Sequence, residues 1–578
     1  MTEPFEDILR SQQAKFDSTG KPVFRWTTTL TSLTDTVKLV VPPNHVVPVI
    51  FIPGIMGSNL MGSDKQPVWL MNRGSGINQP LGLAWMWARK NPGQRQSILH
   101  PKRTSVYSFG NVPDPGARSG RSKSDYIARG WGEVGETSYH EFLLWLENKL
   151  NREGWNPAEW KDFSYTAISA TPQPGAAKVV PKLHGGILMQ MQGLPPFAEE
   201  GHATQSVLSD ELLKRAKCLF PVYACGYNWL ESNMVAAERL SKRIDHIISE
   251  NRKGPQECNQ VILVTHSMGG LVARACLTLS GISAKVAGIV HGVMPSTGAP
   301  VAYRRCKVGM SDEGGLADKV PAAVIGSSGR EVTAVFAQAP GALQLLPSEG
   351  FGKNWLQIKD EHGKVLESLP NADPYSEIYL RKDKWWGLVD QRWLTPKNGV
   401  AIEWNEFATN IDLAQEFHSE IKSSFHRNTF VYYGAGDKKE ASFETIQWQL
   451  SRGITPSEGT RPAAGRVPNH NFIDVRTDGD NAIYIGGKTE IIPAPAYMSS
   501  GGTYETSFWK IICAAQDGKG DGTVPASSGA SPRKTSGKNV QQQFRISGFL
   551  HEASYKSPMA QRVTHYAITK IVGMMNIR

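Results

Sequence analysis

Short, continuously apolar runs alternate along the chain with segments whose apolar positions recur every three or four residues. Val47-Pro-Val-Ile-Phe-Ile52 runs into Pro53-Gly54, Phe220-Pro-Val-Tyr-Ala-Cys225 into Gly226, Val261-Ile-Leu-Val-Thr265 into Ser267, and Val286-Ala-Gly-Ile-Val290 into a Gly/Pro loop. Runs that are apolar at every position fit strands covered on both faces of a parallel sheet. Helical spacing appears in Tyr139, Phe142, Leu143, Leu146 and Leu150, behind Ser138 and Glu141, whose S-x-x-E spacing predicts a capping box. It recurs in Leu240, Ile244, Ile247 and Ile248 after Asn233. Ala560, Val563, Ala567 and Ile571 repeat it after Ser557 as cap and Pro558 at the first helical position. The alternation predicts an α/β chain, a mostly parallel sheet with helices on its faces.

Long stretches interrupt this pattern, and loops of such length in a compact fold usually form lids, caps or binding elements. The reading divides the chain into a discontinuous core (20–60, 125–154, 216–304, 425–437 and 505–578), cap or lid insertions at 61–124 and 155–215, a cap insertion at 305–424 and an additional insertion at 438–504. Trp85, Met86 and Trp87 near Arg89 and Lys90, and Trp385, Trp386 and Trp393 beside Arg381, Lys382 and Lys384, suit either docking on a lipid surface or filling the insertions' own cores.

Composition narrows the class. With 40% hydrophobic and 20% charged residues in 578, the chain is neither disordered nor collagen-like, and 56 Gly with 36 Pro disfavour a coiled coil. A net charge of +10 suits approach to anionic surfaces. The basic clusters Arg118, Arg121, Lys123 and Arg129, and Arg304, Arg305 and Lys307, are short and read as solvated loop charge, so no nucleic-acid partner is expected. Cys218, Cys225, Cys258, Cys276, Cys306 and Cys513 show no metal spacing, and Cys276 reads as a buried thiol. Asp474, Asp478, Asp480 and Asn481 miss the calcium-loop pattern, so neither metal nor cofactor is expected. Met1 to Lys21 lacks the apolar stretch of a secretory signal, and Val46 to Ile55 is far shorter than the roughly 20 residues of a membrane span. The protein is therefore expected to be made soluble.

Thr265-His266-Ser267-Met268-Gly269-Gly270 sits directly after an apolar strand and before the helical positions Leu271, Val272, Ala275 and Leu279. This is the context of a nucleophile elbow, a strained turn that lifts a serine hydroxyl above the sheet, and it predicts an α/β-hydrolase fold. Gly269 meets the need for a small residue. Thr265 stands where glycine is usual and calls for slightly wider strand-helix packing. The acid and base should follow in the order Ser, Asp, His. Asp521 lies in the glycine-flanked turn Gly520-Asp-Gly-Thr-Val-Pro525, with Asp437 after Thr429 to Tyr433 as the alternative acid. His551, on a loop past a strand, is favoured as base over His565 within the C-terminal helix, and His266 reads as a packing or supporting residue. The oxyanion donors should be the backbone amides of Met268 and of Ile55 in Pro53-Gly-Ile-Met-Gly-Ser58.

These blocks resemble a known group. Phe51-Ile-Pro-Gly-Ile-Met-Gly-Ser-Asn-Leu60, Gly130-Trp-Gly-Glu-Val134 with Ser138 and Tyr139, Gly226-Tyr-Asn-Trp229, Thr265 to Gly270 and Gly520 to Pro525 are similar to the antibacterial lipase effectors of the type VI secretion system, specifically their fourth family. More distantly they resemble GPI-inositol deacylase-like and lecithin:cholesterol acyltransferase-like hydrolases. The resemblance implies a phospholipase acting on membrane glycerophospholipid, made in the bacterial cytoplasm and delivered by a spike or carrier protein into a neighbouring cell's periplasm. It also implies a cognate immunity protein. Two other readings stay open on the residues alone: a cytoplasmic esterase or acyltransferase for a non-membrane acyl substrate, and a non-catalytic lipid-binding protein of the same fold.

Overall fold

A computed structural model describes residues 43–71, 87, 89–114, 122–151, 207–253, 256–310, 324–454, 475–476, 482–492 and 503–577, together with the backbone of short strands between 10 and 40. Six strands form the central sheet: β1 (Val49–Ile52), β2 (Val222–Ala224), β3 (Val261–His266), β4 (Val286–Gly292), β5 (Thr429–Gly434) and β6 (Val540–Ile546). Their order is β2-β1-β3-β4-β5-β6, and every pairing is parallel. The chain steps outward from β1 to β2, then crosses back over β1 to β3. The strand order thus reverses beside β1 and β3, and a crevice outside their carboxyl ends is where open α/β sheets bind ligands.

Successive residues of a strand face opposite sides of the sheet, and here both sides are covered. Ile50, Ile52, Leu263 and Ile289 join one core with α2 (Asn233–Asn251) and α3 (Gly269–Cys276), whereas Val49, Phe51, Ile262, Val264 and Val290 join the other with α1 (Glu141–Asn151) and α5 (Pro558–Met574). This burial on both faces explains why the strand segments read as unbroken apolar runs. Helix α5 begins as expected, with Ser557 as cap and Pro558 following. The cap of α2 is Ser232 rather than Asn233. The expected Ser138–Glu141 capping box does not form. Residues 136–140 make a π-helical turn ahead of α1, and the Ser138 hydroxyl donates to Glu552 instead, 2.9 Å away.

A second, mostly antiparallel sheet combines strands from two stretches that read as separate insertions. Val365–Leu369 and Leu356–Lys359 pair onward with Ile446–Ile454, Thr503–Cys513, Ala482–Ile492 and Val475–Arg476. The strand Thr503–Cys513 spans the boundary drawn at 505 and belongs to this sheet. Its inner face continues the core around α2 and α3, with Trp355, Trp448 and α4 (Trp404–Ile421).

Trp87, Trp385, Trp386 and Trp393 are all buried in that core, where each large apolar side chain contributes about 1.5–3 kcal/mol. Trp85 and Met86 lie outside the described residues. Arg304 and Lys307, read as solvated, are buried as well. The Lys307 ammonium donates to the carbonyls of Trp385 and Gly387 at 2.6 Å each, and burial pulls its pKa down to about 8. Arg118 and Arg121 lie outside the described residues; Arg129 pairs with Glu147 at 2.6 Å. All six cysteines are free and buried. No described helix is long and apolar enough to cross a membrane.

Candidate active site

Ser267 directly follows β3 with φ of +52°, in the left-handed region that a serine seldom occupies. Its amide donates to the Gly292 carbonyl at the end of β4 (2.9 Å), and its own carbonyl accepts from Gly270 (2.9 Å) as α3 begins. The close approach comes at Gly269, where an added Cβ would lie 2.5 Å from the carbonyl oxygens of both Ile52 and Pro53. Thr265 is accommodated by polar contacts. Its hydroxyl hydrogen-bonds His291 on β4 (3.0 Å), and its carbonyl accepts from the Tyr555 hydroxyl (2.9 Å).

The carboxylate beside this turn arrives from far along the chain. After β5 the backbone leaves through the second sheet and returns by antiparallel bridges between Gly436 and Gly520 and between Ser442 and Gly518. Asp521 consequently packs against the end of β5, so closely that a Cβ on Gly434 would lie 2.5 Å from its own Cβ. It is 1% exposed. One carboxylate oxygen accepts the amides of Thr523 (3.1 Å) and Val524 (2.7 Å), and the other meets His551 Nδ1 at 2.8 Å. Asp437 is exposed at the start of the short turn 438–440 and is not the residue that meets the histidine.

His551 follows β6 through Gly548, whose φ of +92° turns the chain and whose amide donates to Glu440 (2.9 Å). The His551 amide donates to the Asp521 carbonyl (2.7 Å), so the Asp521 and His551 loops are joined through backbone as well as side chain. His551 Nε2 lies 2.8 Å from Ser267 Oγ. Since an ionised carboxylate can only accept, Nδ1 carries the proton toward Asp521, and Nε2 is left to accept from the serine hydroxyl. His565 is instead buried in α5 against the Trp145 ring, and burial drives its pKa well below the ordinary histidine value.

Ile55 and Met268 flank this arrangement, Ile55 in the turn leaving β1 and Met268 as the residue after Ser267. Gly54 brings the first turn against Ser267: a Cβ there would sit 2.9 Å from Ser267 Cβ. Among the described residues, neither the Ile55 nor the Met268 amide donates a hydrogen bond within the fold. Two backbone donors are therefore available beside the serine hydroxyl.

Of the groups beneath the site, sequence reasoning read His266 as a packing or supporting residue and missed the two tyrosines. The Tyr139 hydroxyl accepts from the Gly54 amide (3.2 Å) and meets His266 Nδ1 (3.0 Å), while His266 Nε2 meets the carbonyl of His551 (3.0 Å). The Tyr227 hydroxyl donates to the Pro53 carbonyl (2.9 Å). Burial holds His266 near a pKa of about 3, so it is neutral. The only available signal for these tyrosines was their place inside the blocks around 139 and 226–229. Among the described residues no cluster of His, Cys, Asp and Glu could hold a metal ion, and the acidic loop at 474–481 falls largely outside them.

The parallel sheet, the strained serine turn and the position of both at the strand-order reversal define the class, an α/β-hydrolase fold. Residues 228–311 match the PGAP1-like alpha/beta domain family, in agreement with the GPI-inositol deacylase-like resemblance. Over nearly its whole length the chain is similar to a chain of the solved Tle4–Tli4 complex, with 28% identity, a TM-score of 0.67, and coverage of 91% of this chain and 99% of that one. The resemblance to the fourth family of type VI lipase effectors is thereby borne out. No curated protein matches the sequence.

Proposed function

We propose that the protein is a serine-dependent lipase that cleaves acyl esters of membrane glycerophospholipids and acts as a secreted antibacterial effector. The observation that carries this reading is the unbroken chain from Asp521 through His551 to Ser267, with both contacts at 2.8 Å and the serine on a strained turn. In the proposed reaction Ser267 Oγ attacks the ester carbonyl while His551 Nε2 takes the hydroxyl proton. Asp521 stabilises the imidazolium that forms. The carbonyl oxygen, now negative, is met by the Met268 and Ile55 amides. Collapse of the tetrahedral intermediate breaks the ester C–O bond, and His551 returns the proton to the departing glycerol oxygen of the lysophospholipid. Water, deprotonated by the same nitrogen, then releases the fatty acid and restores Ser267.

Similarity to Tle4 supports a lipid ester over a small soluble one, and the net charge of +10 favours approach to anionic headgroups. The neighbour's structure is that of a complex with Tli4, which supports a cognate immunity protein here. Delivery through a spike or carrier protein and action in the target periplasm belong to the same proposal. The test is product analysis on mixed phospholipid bilayers with wild type and Ser267→Ala. Free fatty acid and lysophospholipid from the wild type alone are expected. Equal products from a folded Ser267→Ala would overturn the mechanism, and release of headgroups instead would overturn the bond assignment.

A further inference from the structure

We infer that Tyr139, Tyr227 and His266 are positioning residues that hold the Ile55 amide and the base His551 in one hydrogen-bonded frame around Ser267. The inference rests on the serine-lipase reading and adds to it the groups that fix its geometry.

A single peptide bond is held at both ends. The carbonyl of Pro53 and the amide of Gly54 lie at opposite ends of one planar unit. Tyr227 donates to the first (2.9 Å) and Tyr139 accepts from the second (3.2 Å), so that plane cannot rotate without breaking one of the two bonds. The next plane holds the Gly54 carbonyl and the Ile55 amide. Its carbonyl accepts from Gly57 (3.0 Å), which turns the Ile55 N–H the opposite way, out of the turn. Both planes are therefore fixed, and the one amide of the pair without a described partner is that of Ile55.

The same tyrosine reaches the base. Nε2 of His266 faces a carbonyl oxygen, which can only accept, so this nitrogen carries the proton. Nδ1 of the neutral ring is then an acceptor, and the Tyr139 hydroxyl donates to it (3.0 Å). The direction of every bond is thus determined, from the Gly54 amide to Tyr139, from Tyr139 to His266, and from His266 to the backbone of His551. Because burial keeps His266 neutral down to about pH 3, this order persists across the working range.

Burial alone requires each tyrosine hydroxyl to find a partner. It does not require both to bind the same peptide, with a backbone so near the nucleophile that a Cβ on Gly54 would touch Ser267 Cβ. Donors for a developing oxyanion are effective in proportion to how rigidly they are held before reaction, and removing one costs about 100- to 1000-fold in kcat. Loosening one without removing it should cost less.

The test uses Tyr139→Phe and Tyr227→Phe in the full-length protein. Active sites are counted by stoichiometric fluorophosphonate labelling of Ser267, and kcat and KM are measured on a short soluble ester. Each variant should lose about tenfold or more in kcat per labelled serine, with KM within twofold of wild type. A purely structural role would lower thermal stability and the labelled fraction, leaving kcat per labelled site unchanged. Values within twofold of wild type would accordingly overturn the inference. If Tyr139→Phe does not fold, Tyr227→Phe decides alone. Failure of the wild type to label at Ser267 would be a separate result, removing the serine-lipase reading and this inference together.

Discussion

Gly436 and Gly520 pair in an antiparallel bridge at the mouth of the second sheet, with amide-to-carbonyl distances of 2.9 Å in both directions. This pairing closes the excursion after β5 and delivers Asp521 to the end of that strand. Asp437, on the outgoing side, is left exposed. Asp521→Asn should therefore lower kcat by about 10³- to 10⁴-fold, because an amide no longer holds the histidine tautomer or stabilises the imidazolium. Asp437→Asn should stay within twofold. Comparable losses in steady-state ester hydrolysis would remove Asp521 from its proposed role.

The two histidines of the C-terminal region separate by readout. His551 is partly open to the site, whereas His565 is 1% exposed within α5. His551→Ala should abolish most turnover with little change in Tm, and His565→Ala should cost about 1–3 kcal/mol of stability with near-normal turnover per folded molecule. Urea unfolding and kinetics on the same preparations check both. A reversed pattern would place the base on the helix.

Gly269→Ala tests the elbow itself. Its Cβ would meet two carbonyl oxygens at 2.5 Å, both belonging to backbone that cannot swing aside. The substitution should push the β1 exit from the serine turn, with a fall in Tm of several degrees and a larger proportional fall in kcat. Wild-type stability and activity would mean that the strand and helix are not in this contact.

Several buried histidines make stability depend on pH. Burial lowers the pKa of His266 and His291 to about 3 and of His418 and His426 to about 4. In the unfolded chain each takes up a proton near pH 6.5, and in the folded chain none does until far lower. Stability present above about pH 6.5 is thus lost as pH falls toward 4, by roughly 1.4 kcal/mol per unit for each group. Denaturant midpoints should drop steeply between pH 6.5 and 4.5. A flat profile there would show that these rings are accessible in the folded protein.

The central strands and the serine turn were legible because their information is local. A strand covered on both faces needs apolar residues at every position, and a tight strand-to-helix turn needs glycine at a fixed offset. Asp521 and His551 were legible as residues on loops, although the bridge that brings Asp521 to β5 was not. What stayed hidden depends on partners far apart in sequence. Ser138 reads as a helix cap until Glu552 is placed beside it, and Lys307 reads as solvated until the Trp385 and Gly387 carbonyls are. Two insertions read as separate because strand pairing across the chain leaves no trace in either one. Tyr139 read as a core position of its helix and Tyr227 only as part of the block 226–229, because the peptide they hold precedes them by 85 and 174 positions.

If Ser267 carries the acyl group, it is seen in the mass of the intact protein and its peptides during pre-steady-state turnover of a slowly deacylating long-chain ester. The account predicts one acyl chain added on the peptide containing Ser267, formed in a burst of one equivalent of released alcohol per active site, and absent from Ser267→Ala. Hydrolysis by the wild type with neither burst nor adduct, or sustained turnover by folded Ser267→Ala, would contradict it.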